Sequence, residues 1–451
     1  MVMNIKAEAD LFIHGIAAWA KQVRSKELNF EQTVNACLAR ADANQQLGAF
    51  ECMDSERARA TAIAMDNLLA SGRDLGPLMG LPIGVKDIMV ADGLPTTNGS
   101  NANTAHLSGN EGSVVQTMKA AGAIVLGKTK TVEFAFGATG VNESRGTPWN
   151  PVDRETHRIP GGSSSGSAVA VAAGIVGLGL GTDTGGSVRI PACLTGIVGH
   201  KTSMGRWPTD GIFALSQTFD SVGPLCRTVD DAALLHTLMT GESITAKTSL
   251  NGFRFGVPST LFLDDLDEKV ATDFNRACDA LVAAGAIRYD MDFPEVVERA
   301  YVMPDIMAAE LIANITPEFF KKIQEGMDTV SGQRSAHGLQ VSAVEYIAAQ
   351  KRRRQLSKKA AITFRELDCW LTPTCPFEPI PLADIESGQM HERAMLASRN
   401  TQPGNMLGLC GISIPIHTSG LPTGLQVMMA ADEDKALLET SHTIDQVIQD
   451  Y

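Results

Sequence analysis

Long uninterrupted apolar runs are missing from this 451-residue chain. The longest, Ala168 to Gly181, is broken by Gly174, Gly177 and Gly179 and falls short of the roughly 20 residues a membrane span needs. It reads as buried protein, and no membrane is expected as a partner. Positive charge is in deficit: 38 Lys and Arg face 51 Asp and Glu, a net charge of −13. That balance argues against nucleic acid as a partner, and Lys351-Arg-Arg-Arg354 reads as a solvated helical face. Cysteine pairs are also lacking. The 8 Cys are scattered singly, without CxxC or zinc spacing, which points to reduced thiols in a cytoplasmic setting. Glu8 and Asp10, without a long apolar run beside them, do not read as a secretory signal. Aromatics are only 5%.

Glycine is plentiful, at 42 residues, and implies many tight turns and close backbone approaches. Residues 4 to 72 have a mostly helical pattern. From Gly76 onward, helical segments alternate with short apolar strand candidates, among them Ala123–Leu126, Phe253–Val257, Cys369–Thr374 and Ile412–Ile416. Such alternation predicts an α/β fold: one large domain with a mixed sheet core and helices on both faces. The expected organisation is a helical region at 1–72 packed on a main domain at 73–451. The spacing also predicts helices over Ser167–Ala173, Leu266–Ala284 and Val341–Leu367, a helix from Thr129 onward, a loop-rich 206–227 and an irregular 300–330.

Two motif matches fail on context. Gly122-Ala-Ile-Val-Leu-Gly-Lys-Thr129 satisfies the phosphate-loop pattern, but its middle residues form the predicted strand, whose N–H groups are committed to neighbouring strands. Gly162-Ser-Ser-Ser-Gly166 matches the nucleophile elbow around Ser164, yet a turn-rich segment precedes it where an α/β-hydrolase esterase needs a strand.

Three further segments carry chemistry together: Gly84-Val-Lys-Asp87, Gly161-Gly-Ser-Ser-Ser-Gly-Ser167 and Gly181-Thr-Asp-Thr-Gly-Gly-Ser-Val-Arg-Ile-Pro191. Gly185 and Gly186 leave backbone N–H groups unobstructed, as an oxyanion hole requires. Ser187 follows them as a candidate nucleophile that needs a base. Lys86 lies in an otherwise apolar stretch, and a buried lysine can be neutral and serve as that base.

These segments resemble the amidase signature family, with support from Glu133-Phe-Ala135, Asn150-Pro151 and Leu421-Pro-Thr-Gly-Leu-Gln426. The resemblance implies a free-standing amidohydrolase with a Ser-cisSer-Lys triad: nucleophile Ser187, bridging Ser163 after a cis Gly162–Ser163 bond, and Lys86, a mechanism that needs no metal or other cofactor. It implies an oxyanion hole at Thr184, Gly185 and Gly186, with Asp183, Arg189 and Gly162 as structural support. Ser165 replaces a common glycine, and Gly199-His-Lys-Thr-Ser203 departs from the usual pattern without touching a catalytic position. Implied substrates are small amides, carbamates or esters. The alternative branch, the glutaminase subunit of tRNA-dependent amidotransferases, typically has glutamine where this chain has Ile190. A homodimer stays open. Residues 290–360 are the expected substrate-selecting segment, with Met303, Met307, Phe319 and Phe320 as its apolar candidates and Phe136, Gly137 and Ala138 on the other side. The absence of a basic cluster within 290–341 and 136–139 speaks against a dicarboxylate substrate.

Overall fold

The computed structural model describes residues 10–451. Among the described residues eleven strands form one sheet: β1 Phe50–Met53, β2 Pro82–Lys86, β3 Ile124–Thr129, β4 Leu178–Asp183, β5 Val198–Lys201, β6 Ser221–Cys226, β7 Arg254–Pro258, β8 Ile287–Met291, β9 Cys369–Pro373, β10 Cys410–Pro415 and β11 Gly424–Met429. Their order is β1-β3-β2-β4-β6-β5-β10-β11-β9-β7-β8. Pairing is parallel for β2 with β3 and β4 and for β7 with β8 and β9, and antiparallel elsewhere. The sheet is therefore mixed, as expected.

Helices cover both faces, so the central strands are buried on both sides and read as continuous apolar or small-residue runs. Alternation along a strand divides the core: Trp370 and Met428 join one apolar cluster, whereas Leu371 and Val427 join the other. The second cluster is closed by helices Val229–Thr240, Glu268–Ala283 and Asp434–Asp450. Helix Ser165–Ala172 lies on the opposite face, against β4. A Cβ at Gly179 would stand 2.9 Å from Ser167 Cβ, and one at Gly181 would stand 2.8 Å from Ser164 Oγ. Glycine at these positions lets the serine-rich helix approach the strand that carries Asp183.

The structure departs from the expected elements in several places. The first 72 residues contribute an edge strand, β1, besides helices Gly15–Arg24, Phe30–Ala43 and Ser55–Ala70; the start of the predicted helix lies outside the described residues. The loop-rich 206–227 contains β6, a central strand despite Gly223 and Pro224. The irregular 300–330 contains helix Arg299–Ile315, which accommodates Pro304, and helix Pro317–Ile323. After Thr129 the chain forms a short 3₁₀ turn, Glu133–Ala135, where Phe134 and Ala135 adopt φ of 50° and 59°, incompatible with a continuing α-helix. The long helix is Ala343–Thr363, opened by a Ser342/Glu345 capping box. Among the described residues no helix is long and apolar enough to cross a membrane.

Candidate active site

Lys86 ends β2, fully buried, and its Nζ donates to Ser163 Oγ and to Thr182 Oγ1, each at 2.8 Å. The adjacent acid does not compensate it. Asp87 turns to Lys128, its ion-pair partner at 2.9 Å. Burial lowers the Lys86 amine from 10.5 to about 7, against the opposing pull of Asp220 and Asp183. At neutral pH a large fraction of this lysine is therefore uncharged.

Ser163 follows a cis peptide bond with Gly162. Its carbonyl accepts from Thr131 Oγ1 at 2.9 Å, and Gly162 N–H donates to Ala138 O at 2.8 Å. These bonds fasten the serine loop to the segment carrying Phe136, Gly137 and Ala138. Ser187 follows Gly186, whose φ of 124° excludes a side chain. Among the described residues the Ser187 hydroxyl has no hydrogen-bond partner, and it lines a small cavity of about 30 Å³ that opens to solvent.

The turn before Ser187 is held by one carboxylate. Asp183 accepts from the N–H groups of Gly186 (2.8 Å), Val188 (3.2 Å) and Arg189 (3.3 Å), and from the Arg189 guanidinium at 2.9 and 3.0 Å. Burial would raise this acid, but Arg189 and Lys201 hold it well below the carboxylate range. Arg189 is fully buried and also reaches Gln426 (2.7 Å) and Asn405 (2.6 Å), so it does not face the cavity. Because Gly186 N–H is taken by Asp183, the N–H groups of Thr184, Gly185 and Ser187 are the ones left without a partner among the described residues.

The cavity walls bring together Phe136, Gly137, Ala138, Ile190 and Met307 with Gly185 and Ser187. Met303 is fully buried behind them. Phe319 and Phe320 lie elsewhere, Phe319 against the His106 ring at 4.7 Å. Sequence reasoning missed Thr182 and Asp220. The latter accepts from Thr184 Oγ1 at 2.6 Å and is raised by burial to about 6. It also missed Gln402, on the cavity wall, and Thr401, which donates to Gly185 O at 2.7 Å. The expectation of no basic cluster in the substrate segment needs correction: Arg299 and Arg334, far apart in sequence, line one cavity wall because their helices pack together. Among the described residues no group of three His, Cys, Asp or Glu side chains is arranged to hold a metal ion.

The amidase family model matches residues 32–438. The chain is 40% identical over 423 residues to 2-amino-5-chloromuconic acid deaminase of Comamonas testosteroni, covering 92% of this chain and 91% of that one. It is 32% identical over 490 residues to a glutamyl-tRNA(Gln) amidotransferase subunit of Acidothermus cellulolyticus, covering 97% and 95%. Among solved structures, an amidase superposes with a TM-score of 0.89 at 33% identity, covering 96% of this chain and 99% of that one.

Proposed function

The chain belongs to the amidase family, and from that premise we propose that it is a free-standing hydrolase that cleaves small amides through an acyl-enzyme on Ser187. Membership makes it an amidohydrolase of carbon–nitrogen bonds; the catalytic route and the substrate range are our reading. Carbamates, aryl amides and some esters fall within that range. The catalytic unit is assigned to residues 73–451, with 1–72 packed on it, substrate selection to 290–360, and a reducing cytoplasmic setting is favoured by the eight unpaired cysteines.

The observation that carries the mechanism is the buried Lys86 amine, 2.8 Å from Ser163 Oγ and without an ion-pair partner among the described residues. Uncharged, it accepts the Ser163 proton while Ser163 takes the proton of Ser187, which attacks the carbonyl carbon. The N–H groups of Thr184, Gly185 and Ser187 stabilise the oxyanion, while Gly186 N–H keeps Asp183 in place. The proton returns through Ser163 to the leaving nitrogen, and water then releases the acid. Phe136, Gly137, Ala138, Met303 and Met307 shape the substrate side, Met303 from behind. The amidotransferase reading is less well supported, since apolar Ile190 stands on the cavity wall.

A fluorophosphonate probe is expected to label Ser187, mapped by peptide mass spectrometry. Ser187→Ala should lower kcat for a primary amide by roughly 10³-fold or more. Failure to label Ser187, or near-normal turnover in Ser187→Ala, overturns the proposal. Ammonia release from glutamine alone among a panel of amides would favour the amidotransferase reading.

A further inference from the structure

The cavity at Ser187 adjoins a second one. Phe136, Met307, Arg334, Ser398 and Gln402 line both the chamber that holds Ser187 and a second chamber reached by Arg299 and His337. Gln402 ties the two together: a Cβ on Gly185 would stand 3.3 Å from Gln402 Cγ, and the Gln402 side-chain oxygen accepts from the Arg299 guanidinium.

The arginines of this wall are sheltered but not neutralised. Arg334 lies over the Phe136 ring at 5.8 Å and donates to Phe136 O at 3.3 Å and to Met395 Sδ at 3.9 Å. Arg299 has a buried Nε without a hydrogen-bond partner, and nearby Arg399, 5% exposed, has a terminal nitrogen in the same condition. Neither Arg299 nor Arg334 has a carboxylate within ion-pair distance among the described residues, in contrast to Arg145, Arg189 and Arg227, each matched with an acid. The neighbouring carboxylate, Asp305, is engaged by His337 Nε2 at 2.7 Å. Burial pulls Arg334 down, and burial with Arg399 pulls Arg299 down to about 10, so no nearby acid supports either cation. A sheltered guanidinium without an anion forgoes its strongest hydrogen bonds.

We infer that Arg334 and Arg299 form a carboxylate subsite, so that the preferred substrate is a short amide bearing a second, anionic end that lies in the adjoining chamber while its carbonyl meets Ser187. This inference rests on the hydrolase reading above and specifies its substrate class. An amide of a short dicarboxylic acid has this shape, with planar carboxylate oxygens suited to the guanidinium fork.

The test compares succinamate with succinamide, which differ only in the charged end. The wild-type protein should hydrolyse succinamate with a kcat/KM roughly 10- to 100-fold above succinamide, the range of a charge-assisted hydrogen bond. Arg334→Gln and Arg299→Gln should collapse that ratio toward one, and Arg334→Lys should restore part of it. A wild-type ratio near one, with both amides hydrolysed, overturns the subsite and leaves the hydrolase reading intact. Calorimetry on Ser187→Ala separates the two claims. Tighter binding of succinamate than succinamide there supports the subsite even if turnover fails. Equal binding, or no binding of either, overturns it.

Discussion

Lys86 shares its burial with two hydroxyls and with the fields of Asp220 and Asp183, and these neighbours set the pH at which the site works. With the amine near 7, kcat/KM should rise with pH through about 7 and then level off, because only the uncharged amine accepts a proton. The same depressed value acts on folding. Desolvating the charged amine costs no stability above the unfolded lysine's 10.5, and the cost grows as pH falls from there to about 7, below which both states carry the proton. Asp220 favours the charged amine, so Asp220→Asn should move the acid limb of the pH–rate profile to lower pH by roughly one unit. A limb that stays in place under Asp220→Asn would show that the profile reports another group. Asp220 was invisible in the sequence because it belongs to no motif. It reaches the site by following a turn in space, 33 residues after the nucleophile.

At the scale of single elements, the turn from β4 into helix Arg189–Thr195 has almost no slack. A Cβ at Gly186 would come within 2.1 Å of Thr401 Oγ1 and 2.6 Å of Ile190 Cδ1, at a φ of 124°. Gly186→Ala should therefore destabilise the protein by about 1–3 kcal/mol, measured by urea unfolding. It should also depress kcat more than KM, since the displaced turn carries the oxyanion donors. This turn was legible in the sequence because glycines, acid, nucleophile and arginine lie within a few consecutive residues. The fold class was legible through alternating helical and apolar strand patterns. By contrast, β6 was hidden by Gly223-Pro224, although its pairing with β5 begins beyond the proline, at Leu225. Helix Arg299–Ile315 was hidden by Pro304. The cavity wall suffered with it: Arg299 opens that helix and Arg334 lies on Thr329–His337, and only packing makes them neighbours.

Across the whole molecule, the strand order divides at one seam. Strands from residues 50–226 occupy one side of the sheet and those from 254–429 the other, joined where Gly199–Lys201 pairs with Gly411–Ser413. The nucleophile turn is anchored across this seam. Arg189 binds Asp183 of β4 on one side and Asn405 and Gln426 on the other, with Asp183 and Arg189 both fully buried. A buried ion pair is costly to form but costlier to break, because the remaining charge is left without solvent or partner. Arg189→Met preserves apolar bulk and strands Asp183, and should destabilise the protein by about 3–5 kcal/mol at neutral pH. The acid pins the turn, so activity should fall with it. The pH dependence separates charge loss from poor packing. Native Asp183 is held below its unfolded value of 3.8, so its stabilisation is present above that pH and fades as pH falls through the native value. In Arg189→Met the stranded carboxylate should accept a proton more readily. The stability gap between mutant and wild type, followed by urea unfolding, should accordingly narrow from neutral pH toward about pH 4. A gap that stays constant over that interval would mean that Arg189 supports the seam by its bulk and not by its charge.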